Sequence, residues 1–123
     1  MQLKLLPGSY TVCQIPSLSH IDWSGELTFI GKTADELSLV CETALVPAQT
    51  LAREDDWRAF RVQGVLDFSL IGILSALTAV LAQADVSVFC VSTYDTDYVL
   101  VKQDKLPAAL SALSAAGYNL LTA

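Results

Sequence analysis

The stretch VSVFCVSTYDTDYVLV, residues 86–101, decides the fold. Val86 to Val91 is β-branched and aromatic, and Tyr98 to Val101 repeats that chemistry, which packs well on a pleated surface. Between the two runs, Ser92, Thr93, Tyr94, Asp95, Thr96 and Asp97 include short polar side chains that bond their own backbone in turns, so a hairpin is expected. Outward on the N-terminal side, Ile73, Leu74, Leu77, Leu81 and Ala84 recur at helical spacing. They predict a buried-face helix over about Leu70 to Ala84, with Ser69 as N-cap and Asp67 near the positive end of its dipole. Trp57 to Val62 reads as the strand before that helix, closed by Gly64. On the other side, Leu106, Leu110 and Leu113 give a second helical stripe, with Pro107 in its first turn and Gly117 as its stop. Tyr118 to Leu121 returns as a final strand. The order is β-α-β-β-α-β, a ferredoxin-like α+β arrangement.

The first half echoes this order at an offset of about 60 residues, with a one-residue slip. Glu26 to Ile30 precedes Thr33, Asp35 and Leu37 to Val40, as Val86 to Cys90 precedes Thr93, Asp95 and Tyr98 to Val101. Phe29 matches Phe89, and Leu45 with Pro47 matches Leu106 with Pro107. Only Pro16 to Ser24 separates the strand Tyr10 to Ile15 from the next one, so the first helix of this copy is expected to be a loop or a short turn. The expectation is two tandem units, residues 1–55 and 56–123, with Glu54, Asp55 and Asp56 as a short acidic linker.

Composition narrows the function. The 123 residues carry seven Lys plus Arg against thirteen Asp plus Glu, a net charge of -6, so no basic stripe exists to neutralise phosphates and nucleic acid is not an expected partner. The uncharged stretch between Asp67 and Asp85 falls short of the roughly 20 apolar residues a bilayer span needs and reads as a buried helix. Met1 to Ser9 lacks a signal-peptide pattern, so a cytoplasmic protein is expected. Cys13, Cys41 and Cys90 lack CxxC spacing and sit among strand residues, where a thiol packs as a small hydrophobe. The single His20 belongs to no metal or triad pattern, and Asp67, Asp95 and Asp97 lack the full ligand loop of a Mg or Ca site. No cofactor or metal is expected. With no activated nucleophile or acid-base pair to name, neither is catalysis. Charged residues make up 16%, against about 25% in average domains, which points to a surface covered by another copy.

The repeated split unit, the segment Gly64 to Leu74 with an acidic residue before a Gly and a helix, and the segment Ser92 to Val101 resemble the ACT regulatory domain. Together with Leu5, Pro7 and Gly8, with Leu37 to Val40, and with the Trp57 and Arg58 pair, they are similar to the small two-ACT proteins of the CASTOR-like group. The resemblance implies a non-catalytic regulatory protein that holds an amino acid at an interface between ACT units, works as a homodimer, and acts on a regulated protein the sequence does not name. Leu70 and Ile71 stand where the arginine-sensing relatives are acidic, so the resemblance does not extend to arginine as ligand.

Apart from any family, the start of the predicted helix offers unpaired backbone N–H groups that suit a carboxylate, and Gly72 allows close approach. Asp97 and Asp67 suit an ammonium. The expected ligand site is therefore Asp67, Ser69, Gly72, Ile73, Thr93, Tyr94 and Asp97, with Gly72 and Ile73 on the carboxylate. The alternative is that Ser69 only caps a helix, Asp95 and Thr96 only make a turn, Asp97 is solvated, and the protein is an association scaffold without ligand.

Overall fold

In a computed structural model, residues 1–63 and 72–122 are described. The elements in chain order are β1 (Gln2–Leu5), β2 (Tyr10–Gln14), β3 (Phe29–Lys32), β4 (Leu37–Glu42), β5 (Ala52–Val62), α1 (Ile73–Gln83), β6 (Val88–Ser92), β7 (Asp97–Lys102), α2 (Leu106–Ala115) and β8 (Asn119–Thr122). They form two compact units, one of Met1–Pro7 with Arg58–Ala123 and one of Gly8–Trp57.

The first of these units is the predicted α+β, ferredoxin-like fold with one strand added. Its strands lie in the order β6, β7, β5, β1, β8. The expected hairpin is β6 and β7, antiparallel from Val88 opposite Val101 to Ser92 opposite Asp97. The added strand is β1, which the sequence reading left without structure. It runs antiparallel to β5 and parallel to β8, separating two strands that a plain split unit would place side by side. Leu3 is fully buried in this position, packed in one core with Phe60, Val62, Leu77, Leu81 and Val99. Helix α1 buries Leu77 and Leu81, and α2 buries Leu106, Ala109 and Leu113, as their spacing requires. Both helices end in Schellman geometry: Val86 N donates to Leu81 O behind Asp85 (φ 59), and Tyr118 N donates to Leu113 O behind Gly117 (φ 94). Gly117 is the stop the sequence predicts. Asp85 tolerates the left-handed conformation as short polar residues do.

The second unit keeps the strands of the repeat and loses its helices. Its antiparallel order is β3, β4, β2 and the first half of β5. β4 and β7 begin and end at positions 60 apart, and both run into a single 3-10 turn, Thr43–Leu45 and Gln103–Lys105. There the copies diverge. Leu106 continues as α2, whereas the segment after Leu45 forms no helix and reaches β5 at Ala52, so the helix implied by matching Pro47 to Pro107 is absent. Residues 16–24 are turns and bends without a helix. Ile21, Leu45 and Val46 pack on Cys13, Ile15, Leu39 and Cys41, the buried cluster of this unit.

The acidic linker is a correction. Glu54, Asp55 and Asp56 lie inside β5, at a bulge where the β2 register shifts between Tyr10 opposite Trp57 and Val12 opposite Glu54. Asp56 takes a positive φ of 67 there, which fits a bulge residue. Asp55 is held by structure: its Oδ1 accepts from the buried Thr11 hydroxyl at 2.7 Å and from the Arg53 guanidinium at 2.7 Å. Cys90 also departs from expectation, since it is exposed on β6, a strand paired among the described residues only with β7, while Cys13 and Cys41 are buried.

Candidate functional site

The start of α1 is built as an anion site would be. Gly72 is its N-cap in the left-handed conformation (φ 79, ψ 0), and no side chain among the described residues caps the helix. Ser69, expected in that role, lies outside the described residues with Asp67. The first helical bond is Ala76 N to Gly72 O, so the N–H groups of Ile73, Leu74 and Ser75 precede any intrahelical acceptor. Gly72 and Ile73 line a cavity of about 480 Å³ together with Ala76 and Val80 of α1 and Gly117 and Tyr118 of the α2–β8 turn. Met1 and Ala116 also line it, and among the described residues the lining carries no charged side chain. A ligand there meets helix N–H groups at one end and small or apolar groups along its length, the lining expected of a small-molecule pocket.

The other predicted residues belong to the β6–β7 turn. Thr93 N donates to Thr96 O at 2.9 Å, and the Thr93 hydroxyl accepts from Thr96 N at 3.4 Å, which commits that hydroxyl to the turn. Asp97 accepts from the Ser92 hydroxyl at 2.5 Å across the last pair of the hairpin. Tyr94 sits at the tip and is 80% exposed. None of Thr93, Tyr94 and Asp97 lines the cavity that Gly72 and Ile73 share. Loss of solvation, and then the Asp97 carboxylate, raise the Cys90 thiol above its ordinary value.

Thr96, read in the sequence only as a turn former, joins the turn to the strand that leads toward α1. Its side chain is 3% exposed, and its hydroxyl donates to Val62 O at 2.7 Å. The hairpin turn is thus fixed to the end of β5, and Gln63, next along the chain, buries an Oε1 with no hydrogen-bond partner among the described residues. The signal available beforehand was the Thr93-to-Thr96 spacing of the turn. What carried no signal was the contribution of Met1, Gly117 and Tyr118, which reach the cavity through the β1–β8 pairing.

The ACT domain family is matched over residues 52–115. Among solved structures, a protein from Agobacterium tumefaciens is 31% identical, with a TM-score of 0.88 over 99% of this chain and 92% of that one. A Vibrio cholerae protein of unknown function, described as a possible transport protein, is 22% identical, with a TM-score of 0.69 over 93% of this chain and 88% of its own. The ligand-free regulatory subunit of aspartate kinase from Thermus thermophilus shares the fold at 10% identity, with a TM-score of 0.62 over 95% and 97% of the two chains. A comparison with curated proteins finds no match.

Proposed function

Because the chain belongs to the ACT domain family, we propose that it is a non-catalytic regulatory protein that binds a free amino acid with an uncharged side chain at the start of α1. The observation that carries the reading is the α1 N-terminus, without a side-chain cap among the described residues, opening through left-handed Gly72 into a cavity of about 480 Å³ whose described lining has no charged side chain. The amino acid's carboxylate takes the N–H groups of Gly72 and Ile73, and its side chain lies along Ala76 and Val80. A charged side chain such as that of arginine would be desolvated without a partner in this lining. The ammonium falls to Asp67, with Ser69 beside it, since Thr93, Tyr94 and Asp97 do not line this cavity. In this reading the protein is a cytoplasmic homodimer of CASTOR-like two-ACT chains, the second copy covers the open side of the site, and the ligand state is passed to a regulated protein.

The scaffold reading has one observation in its favour: every exposed residue of α1 and α2 is uncharged, the depletion seen at interface cores. Calorimetry separates the two. Titration of leucine, methionine and valine into the wild type should give saturable heat that Ala76→Phe, which fills the cavity, removes. Sedimentation should show twice 13.2 kDa. Dimerisation without any heat would leave association as the function.

A further inference from the structure

Charge is spread unevenly over the unit of Met1–Pro7 and Arg58–Ala123. Side chains alternate between the two faces of a strand, and directly paired residues share a face. Leu3, Phe60, Val62, Val99 and Val101 lie in the core beneath the helices, so Lys4, Arg61 and Lys102 fall on the other face of the sheet. The register places them in rows. Lys4 is opposite Arg61 on β5 and Leu121 on β8, and in the next row Gln2, whose O accepts from Gln63 N at 3.0 Å, is opposite Asn119. Val91 opposite Tyr98 continues the face on β6 and β7. Among the described strand residues of this unit the one acid is Asp97, and it alternates onto the helix side with Val99. The face turned away from the helices thus carries cations and no strand carboxylate, in a chain whose net charge is -6.

The Lys4–Arg61 pair is a cost to the fold as it stands, because like charges directly opposite on neighbouring strands destabilise a sheet. Neither residue holds an ion pair among the described residues, where Arg53 with Asp55 does. Arg61 also buries its Nε without a hydrogen-bond partner among them, an arrangement folded proteins rarely keep. A carboxylate seated between the two heads would offset the repulsion and accept from the guanidinium fork. Val91, Tyr98 and Leu121 on the same face are half-buried, so an occupant that also brings apolar groups fits better than a free anion. A second copy laid symmetrically over this face would set cation against cation, which makes the occupant a different chain. We infer that the face of this sheet turned away from the helices docks an acidic segment of another protein that carries apolar residues beside its carboxylates, with Lys4 and Arg61 clamping one carboxylate. The surface shares no residue with the cavity at α1 and needs no ligand there.

The test is residue-resolved. Amide spectra of the full chain are titrated with a short peptide of alternating Glu–Glu and Leu–Leu pairs, which in extended form presents both residue types on each face. Residues 2–4, 61–63 and 119–122 should shift saturably with a Kd below about 200 μM, and the same peptide with Gln in place of Glu should bind at least about tenfold more weakly. Lys4→Gln and Arg61→Gln should each weaken binding about fivefold, and added salt should weaken it further. Both variants relieve the like-charge pair, so the urea midpoint should hold or rise. Ala76→Phe should leave the response intact. No saturable shift at these residues, equal binding of the Gln peptide, or a loss of stability in place of a loss of binding overturns the surface. So does displacement of the peptide by equimolar inorganic phosphate, which would assign the pair to a free anion, or tighter binding to phosphatidylserine vesicles than to the peptide.

Discussion

Glycine 25 offers the sharpest test of how the helix-free unit holds its long loop. A Cβ added there would sit 2.1 Å from Glu42 Oε2 and 2.8 Å from Leu45 Cδ1, both closer than real contacts allow. Glu42 cannot swing aside freely, because its Oε1 accepts from Glu26 N at 3.1 Å and Leu27 N at 3.3 Å. Gly25→Ala must therefore break this clamp and displace Leu45, which packs on the cluster around Cys13 and Cys41. Hydrogen bonds to a charged group contribute about 1.5 to 3 kcal/mol each, and water recovers part of the loss at exposed Glu26, so a net cost of about 2 to 4 kcal/mol is expected. Trp23 and Trp57 both belong to the Gly8–Trp57 unit, so the fluorescence midpoint in urea reports its unfolding. On a Glu42→Ala background the obstructing oxygen is gone, and Gly25→Ala should cost less than about 1 kcal/mol, a coupling that a double-mutant cycle isolates. Gly31→Ala is the control: its Cβ would meet only Ser38 Cβ at 3.7 Å, and the change should stay within about 0.5 kcal/mol. A Gly25→Ala cost below about 0.5 kcal/mol, or one undiminished by Glu42→Ala, would refute the clamp.

Three further outcomes follow from the packing and the titrations. Leu77→Ala removes a side chain that is 1% exposed in the α1 core and should cost about 2 to 5 kcal/mol in chemical denaturation; a surface-like loss would remove α1 from the core. Thr96→Val keeps the shape but leaves Val62 O buried without its donor, and should cost about 1 to 3 kcal/mol while raising hydrogen exchange at residues 93–96. Burial, then Cys13 and Glu42, push the Cys41 thiol from the ordinary 9.0 to about 11. Across that window the unfolded chain has lost the proton that the folded chain keeps, so stability falls as pH rises from about 9 to about 11, and Cys41→Ala should flatten the fall.

The C-terminal unit was legible because its signals are local: a helical stripe ending at Gly117, and two β-branched runs around a turn. The strand β1 was not, since four residues with one buried Leu3 acquire meaning only from the β5 and β8 edges that receive them. Charge misled at Glu54 to Asp56, where three acidic residues read as a solvated break but form a bulge whose carboxylate pairs with Thr11 and Arg53. The echo of Pro47 and Pro107 held as far as the 3-10 turn and failed beyond it. After Leu106 the apolar residues recur at helical spacing, whereas Val46 to Leu51 has no such stripe. For the ligand site, the sequence singled out Gly72 and Ile73, which the cavity includes, and overlooked Thr96, whose role depends on a carbonyl 34 positions earlier.

The order in which strands find partners bears on how this chain leaves the ribosome. Residues 8–57 contain β2, β3, β4 and the part of β5 that pairs with β2, so that unit can pair its strands soon after it emerges. Met1–Pro7 has no such option: its strand lies between β5 and β8, and β8 is made long after it. Leu3, fully buried in the folded protein, therefore waits exposed until β8 has been made, as part of an unpaired edge, the state most open to pairing with a stranger. A strand translated before the others described is among the last of them to be sheltered, and substitutions in residues 2–5 should reveal themselves first in soluble yield and only second in the stability of the folded protein.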